Sequence, residues 1–237
     1  MPESIATDPK LRVAEIFSSI QGEGFWAGVP STFIRISGCN LRCVWCDTPY
    51  ASWEPEGPTL ALDEILAQVS PEILHVVITG GEPMVFPQTA LLAHRLKDRG
   101  HIITVETAGT VFQDLPCDLM SISPKLSNSM PSPESGWRDR HNATRLNIPV
   151  LTKLIDSYPH QLKFVVNPEG GDDLAEVDAL LAQLPVVAPD RILLMPEGTS
   201  SDVLARRARL LVSTLMGRGW RLGPRMQIDL FGNTKGT

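Results

Sequence analysis

The chain contains no stretch of about 18 apolar residues, so no membrane-spanning helix is expected. It has no excess of basic charge. Its 21 Lys and Arg against 27 Asp and Glu give a net charge of −6, so general binding to nucleic acid or to an anionic membrane is not expected. Met1–Lys10 carries prolines and charges but no apolar centre, and does not read as a secretory signal. Cysteine is scarce: there are four, and a secreted disulfide framework would spread an even number along the chain. Such usage fits a reducing, cytoplasmic location, where thiols stay available for metal. No short internal repeat and no obvious second domain occur, so residues 1–237 are expected to form one domain.

What is present is concentrated. Cys39, Cys43 and Cys46 fall within one short loop with the spacing C-x3-C-x2-C. Such spacing lets one loop aim three thiolates at one point. Soft thiolates favour zinc, Cu(I) or iron–sulfur clusters. A closed structural zinc site usually needs four protein ligands, and no second Cys or His pair lies nearby. Three ligands suit a cubane cluster with one iron left open. Cys117 stands alone and reads as a small buried residue. The five histidines show no metal-ligand spacing.

Strand and helix patterns alternate along most of the chain. Strands are expected at 12–20, 31–37, 74–79, 101–106, 118–123, 162–166, 191–195 and 226–230, from β-branched runs and short apolar stretches. Helices are expected at 62–69, 87–98, 172–184 and 201–216, and in part of 143–157, where Pro149 limits the helix. Residues 54–59 read as a surface loop. Residues 126–143 are polar, lack usable periodicity, and read as a long irregular excursion. Alternation implies an α/β fold of mostly parallel strands with helical crossovers. The 237 residues are short for an eightfold barrel, so a partial, open, TIM-like β/α barrel is expected. Ligands of parallel β/α folds gather at the carboxyl ends of strands. Cys39, Thr79, Gly81, Glu106 and Ser123 all lie near such ends. Arg35 sits inside a strand, where an isolated charge ordinarily faces solvent.

The cysteine loop, with Trp45 just before its last cysteine, resembles that of the radical S-adenosylmethionine (SAM) superfamily. Thr79-Gly80-Gly81-Glu82-Pro83, after the next strand, resembles that superfamily's glycine-glycine-glutamate-proline motif. The resemblance implies that Cys39, Cys43 and Cys46 hold a [4Fe-4S] cluster whose open iron is chelated by SAM. It also implies that a reduced cluster cleaves SAM to a 5′-deoxyadenosyl radical, which takes a hydrogen atom from the substrate. A narrower resemblance is carried by Ser19-Ile20-Gln21-Gly22-Glu23-Gly24, by Cys46-Asp47-Thr48, and by the segment 229–236. These look like the 7-carboxy-7-deazaguanine synthases of queuosine and 7-deazapurine biosynthesis. Members convert 6-carboxy-5,6,7,8-tetrahydropterin to 7-carboxy-7-deazaguanine with loss of ammonia, and need Mg2+.

Residue by residue, this resemblance implies Thr48 as a Mg2+ ligand and Ile20, Gln21 and Gly22 as the turn against the pterin. Arg35 would pair with the substrate carboxylate, a role suited to its planar fork. Thr79 would contact substrate, and the carboxylate of Thr237 would reach the pterin amino group. Gly81, Ser123, Pro124, Lys125, Trp45, Asp47 and Glu106 would hold SAM, with Glu106 on the ribose. Expected partners are an electron donor such as flavodoxin or ferredoxin and a second copy of the chain in a homodimer. The narrower resemblance runs from about Val13 to the last residue, and residues 137–147 are the part it places least well.

Two other classes fit parts of the pattern: a glycyl-radical activase, and an iron–sulfur carrier or zinc module without catalysis. The Gln21–Gly24 turn and the Cys46-Asp47-Thr48 triplet speak against the first. The second leaves the Gly-Gly-Glu-Pro turn without a purpose. One outcome separates the cysteines: alanine at Cys39, Cys43 or Cys46 should abolish SAM cleavage by the reconstituted protein, whereas Cys117→Ala should not. Loss of the cluster in Cys117→Ala, with retention in one of the other three, would overturn the ligand assignment.

Overall fold

The computed structural model describes residues 8–237. The reading of Met1–Lys10 as non-secretory therefore falls largely outside the described residues. Among the described residues nine strands form one sheet in the order β3-β1-β2-β4-β5-β6-β7-β8-β9. They are β1 (Lys10–Ile20), β2 (Pro30–Ile36), β3 (Thr59–Ala61), β4 (His75–Gly80), β5 (Ile102–Thr107), β6 (Leu119–Ile122), β7 (His160–Val166), β8 (Ile192–Pro196) and β9 (Arg221–Leu222). From β2 to β9 every neighbouring pair is parallel. Only β1 runs against its neighbours β2 and β3. The sheet has two edges, β3 and β9, so the expected open α/β arrangement is borne out. The helices are α1 (Pro49–Ser52), α2 (Leu62–Leu66), α3 (Gln88–Asp98), α4 (Arg138–Thr144), α5 (Ile148–Ser157), α6 (Asp173–Leu181), α7 (Ser201–Arg218) and α8 (Met226–Phe231).

Side chains alternate across each strand, and the two faces of the sheet have opposite chemistry. Ile34, Ile36, Ile78, Val105, Ile122, Phe164 and Leu194 point to one face and join one core with residues of α2, α3, α5, α6 and α7. Each such side chain, taken fully out of water, contributes about 1.5–3 kcal/mol. The neighbouring positions Arg35, Thr79, Glu106, Ser121 and Lys163 point to the other face and line a pocket. Register brings them level, with Arg35 opposite Thr79, and Glu106 opposite Ser121. Deeper on that face His75 bridges Ser31 (Nδ1 to Oγ, 2.6 Å) and Thr104 (Nε2 to Oγ1, 2.8 Å). Burial holds the His75 pKa below its usual value.

Three expectations need correction. Residues 226–230 form helix α8, not a strand. Met226, Ile228 and Leu230 alternate as in a strand, but only Ile228 is buried and Leu230 is exposed. The place beside β8 is taken by β9, and Gly232 N–H closes the helix on Ile228 O. Pro149 starts α5 rather than limiting it. It occupies the first turn, where its missing N–H costs nothing, and Asn147 caps that turn by accepting from Val150 N–H (3.3 Å). The excursion at 126–143 is packed: Ser129 and His141 are completely buried within it, and it contributes most of α4. The segment 54–59 is a loop, as read, until Thr59 opens β3.

Candidate active site

Two adjoining cavities open at the carboxyl ends of the strands. The smaller, about 120 Å3, is lined by Cys39, Cys43 and Cys46. The larger, about 460 Å3, is lined by the polar face of the sheet, the Gln21–Glu23 turn and the C-terminal segment. Trp45, Asp47, Thr48, Gly80, Gly81, Ala108 and Lys125 line both, forming a shared wall.

The wall is built by a close backbone approach. Gly81 N–H donates to Ile36 O (3.0 Å) and Glu82 N–H to Gly38 O (2.9 Å), so the turn after β4 seats directly on the root of the cysteine loop. A Cβ on Gly81 would stand 1.9 Å from Gly38 O, and one on Gly80 2.1 Å from Ile36 O. Only glycine fits there. The buried Glu82 carboxylate then accepts from Thr107 Oγ1 (2.7 Å), Ala108 N–H (2.7 Å) and Met84 N–H (3.1 Å), tying β4 to the end of β5. Burial pushes its pKa up, against three donors that favour the anion.

Within the smaller cavity Cys39 Sγ accepts from Leu41 N–H (3.3 Å), and Cys46 Sγ lies 3.1 Å from Ser52 Oγ and 3.8 Å from Thr48 Oγ1. Burial pushes the Cys39 and Cys43 thiols up to about 12, so without a cationic partner both stay protonated. Among the described residues no three His, Cys, Asp or Glu already form a ready metal-holding group. The donor set nonetheless fits a cluster. Three soft sulfurs face one cavity, a metal drives off thiol protons on binding, and Cys117 packs against the main core instead.

The larger pocket is a network of compensated charges. Lys163 Nζ bridges Glu23 Oε2 (2.8 Å) and Glu106 Oε1 (3.2 Å), and Thr79 Oγ1 donates to Glu106 Oε2 (2.8 Å). Arg225 pairs with Asp47 and lies 3.5 Å from Glu23 Oε1, which accepts its hydrogen bond from Gln227 Nε2 (2.9 Å). Burial alone would raise the Glu23 pKa, but Lys163 and Arg225 outweigh it and hold it down to about 2. Burial would lower the Lys163 pKa, but Glu106 and Glu23 reverse that and raise it. Arg35 is not a solvent-facing charge. Its Nε donates to Glu15 Oε1 (2.6 Å), which also accepts from Tyr50 (2.7 Å). Among the described residues its two terminal nitrogens have no hydrogen-bond partner, and Arg35 lines the pocket.

Every site residue expected from the sequence touches one of the two cavities, except Pro124. Ile20, Gln21, Gly22, Thr79, Glu106, Ser123 and Thr237 line the larger one. Pro124 is buried and lines neither, while its neighbours Lys125 and Ser123 are bonded Nζ to Oγ at 2.8 Å. Sequence reasoning missed Glu23, Lys163, Arg225, Gln227 and Tyr50, all of which line the pocket. The one available signal was Lys163 inside an otherwise apolar strand.

The Radical SAM superfamily profile matches residues 33–129, which span the cysteine loop and the Gly-Gly-Glu-Pro turn. The chain is 40% identical to a 7-carboxy-7-deazaguanine synthase of Halobacterium salinarum, over 100% of both chains. It is 43% identical to one of Rhodopirellula baltica, over 98% of this chain and 91% of the relative. The crystal structure of QueE from Escherichia coli superposes with a TM-score of 0.68 at 26% identity, over 90% of this chain and 93% of that one. A three-cysteine loop seated on a glycine turn at the mouth of an open parallel sheet defines a radical SAM enzyme. Within that superfamily the chain belongs to the 7-carboxy-7-deazaguanine synthases.

The charge network gives a test by pH and by substitution. Glu23 is held at about 2 against an ordinary 4.5. The stability it contributes is complete above pH 4.5 and is lost as pH falls toward 2. Lys163→Met leaves the half-buried Glu23 and Glu106 without their shared cation. Urea unfolding at pH 7 should show a loss of about 3–5 kcal/mol, and the fall in stability between pH 4.5 and 2 should shrink, because Glu23 is no longer held so far below 4.5. An unchanged urea midpoint would show that the bridge carries no net stability.

Proposed function

We propose that this protein converts 6-carboxy-5,6,7,8-tetrahydropterin to 7-carboxy-7-deazaguanine with loss of ammonia, for queuosine or another 7-deazapurine. The observation that carries this is the shared wall: a three-thiol cavity opens onto a pocket that presents the free fork of Arg35. Cys39, Cys43 and Cys46 hold the [4Fe-4S] cluster. When bound, the reduced cluster and SAM supply a 5′-deoxyadenosyl radical that removes a hydrogen atom from substrate. The chain's part is to place the reactants and to keep water and quenching groups away.

Gly81, Trp45, Asp47 and Lys125 receive SAM along the wall, with Ser123 beside them, and buried Pro124 lies between Ser123 and Lys125 in the chain. Lys125 has no carboxylate partner among the described residues, unlike the other cations lining the pocket, which suits it to an anionic group of SAM. Glu106 has both oxygens engaged, yet each keeps a second lone pair for a ribose hydroxyl. Ile20, Gln21 and Gly22 lie against the pterin, Arg35 binds its carboxylate in two places, and Thr79 and the carboxylate of Thr237 complete the contacts. Thr48 offers one hydroxyl to Mg2+. That ion prefers octahedral oxygen coordination, so substrate and water fill its remaining positions. A flavodoxin or ferredoxin delivers the electron, and the enzyme works as a cytoplasmic homodimer.

The reading is tested by anaerobic reconstitution followed by incubation with SAM, a reductant and 6-carboxytetrahydropterin. The expected products are 7-carboxy-7-deazaguanine, ammonia and 5′-deoxyadenosine. Formation of 5′-deoxyadenosine without the deazaguanine would keep the radical chemistry and overturn the substrate. Thr48→Val keeps the shape and removes the oxygen. It should keep its iron, lower product formation, and blunt the response to added Mg2+. Full activity with the parent's Mg2+ dependence would move the metal elsewhere.

A further inference from the structure

The excursion that neither motif explains is wrapped around the cysteine loop. His141, in α4, is completely buried. Its Nδ1 accepts from Arg42 N–H (3.0 Å), so that nitrogen carries no proton. Its Nε2 lies 3.0 Å from Ser129 Oγ, whose own proton goes to Leu126 O. Nε2 therefore carries the hydrogen, and the ring is held as one neutral tautomer. Ser129 in turn accepts Val44 N–H on its carbonyl (2.9 Å). The backbone on both sides of Cys43 is thus fixed by one relay.

Further contacts act in the same sense. Arg42 Nη1 donates to Cys39 O (2.8 Å) and Leu41 O (2.7 Å), and its guanidinium stacks 4.1 Å from the Trp137 ring centre. The Trp45 indole N–H donates to Asn128 Oδ1 (3.2 Å). A loop with three thiols and little regular structure needs such external constraints to lose its conformational freedom.

We propose that His141 is a positioning residue for the cluster site. It clamps Arg42 directly and Val44 through Ser129, and so aims Cys43 into the cavity shared with Cys39 and Cys46. His141 touches none of the reacting groups. The inference rests on the assignment of the three cysteines as cluster ligands. It adds that the loop's shape is imposed by the 126–145 segment and precedes metal.

Two measurements on the intact chain test this. One is the rate at which each thiol of the cluster-free protein reacts with an alkylating reagent, assigned by peptide mass. The other is the rate of iron loss from the reconstituted protein to a chelator. His141→Ala should speed alkylation of Cys43, which is 8% exposed in the parent, and should speed iron loss about tenfold or more, as for outer-shell partners of metal ligands. His141→Asn, whose amide keeps an acceptor where Nδ1 lies, should recover most of both. His75→Ala removes an equally hydrogen-bonded buried imidazole away from the loop, and should lower stability without changing either rate.

Parent rates in a folded His141→Ala, or equal changes in His75→Ala, would overturn the proposal. Should His141→Ala fail to fold, Ser129→Ala decides. It removes the Nε2 partner together with the hydroxyl's own bond to Leu126 O, and keeps the carbonyl to Val44, so intermediate rates are expected and parent rates overturn the clamp. A parent protein that takes up no iron would sink the cluster assignment, while the alkylation rates would still judge His141.

Discussion

The backbone contact between Gly80-Gly81 and the root of the cysteine loop is the constraint on which the site depends. Gly81 N–H on Ile36 O and Glu82 N–H on Gly38 O bring the ends of β2 and β4 together. Glu82 then reaches Thr107 and Ala108 and adds β5. Three strand ends are locked by one turn, and the thiol cavity comes to share a wall with the substrate pocket. Any side chain at Gly81 would force the loop away from the sheet and separate the two cavities.

The pocket behind that wall is polar because alternate strand positions must serve two environments. One face of the sheet sinks into an apolar core against helices, while the other meets ligand. Burying Lys163 and half-burying Glu23 and Glu106 costs desolvation that their mutual attraction only partly returns. What the arrangement provides is a fixed field, with donors and acceptors held in place before ligand arrives. Arg225 extends that field to the cysteine loop through Asp47, and so couples the C-terminal segment to the thiol cavity.

The sequence was most legible where function sits in contiguous motifs. The three cysteines and the Gly-Gly-Glu-Pro turn could be read directly, and strand–helix alternation was enough for an open parallel sheet. It was least legible where meaning depends on distant pairing. Glu23 and Lys163 are 140 residues apart, and Asp47 and Arg225 are 178 apart. Lys163, inside an apolar strand, stands out alone, but nothing in the sequence pairs any of the four with its partner. Met226, Ile228 and Leu230 followed the strand period, yet the sheet edge was already occupied by β9. Residues 126–143 lacked periodicity because they pack by single side chains, such as Ser129 and His141, rather than by a repeating apolar face.

The account is tested most directly by an anaerobic crystal structure with cluster, SAM and 6-carboxytetrahydropterin bound together. It predicts protein bonds to the cluster from Cys39, Cys43 and Cys46 alone, SAM lying across the wall at Gly81 and Lys125, and the pterin carboxylate on the terminal nitrogens of Arg35. A fourth protein ligand on the cluster, or a pterin bound away from Arg35, would contradict it.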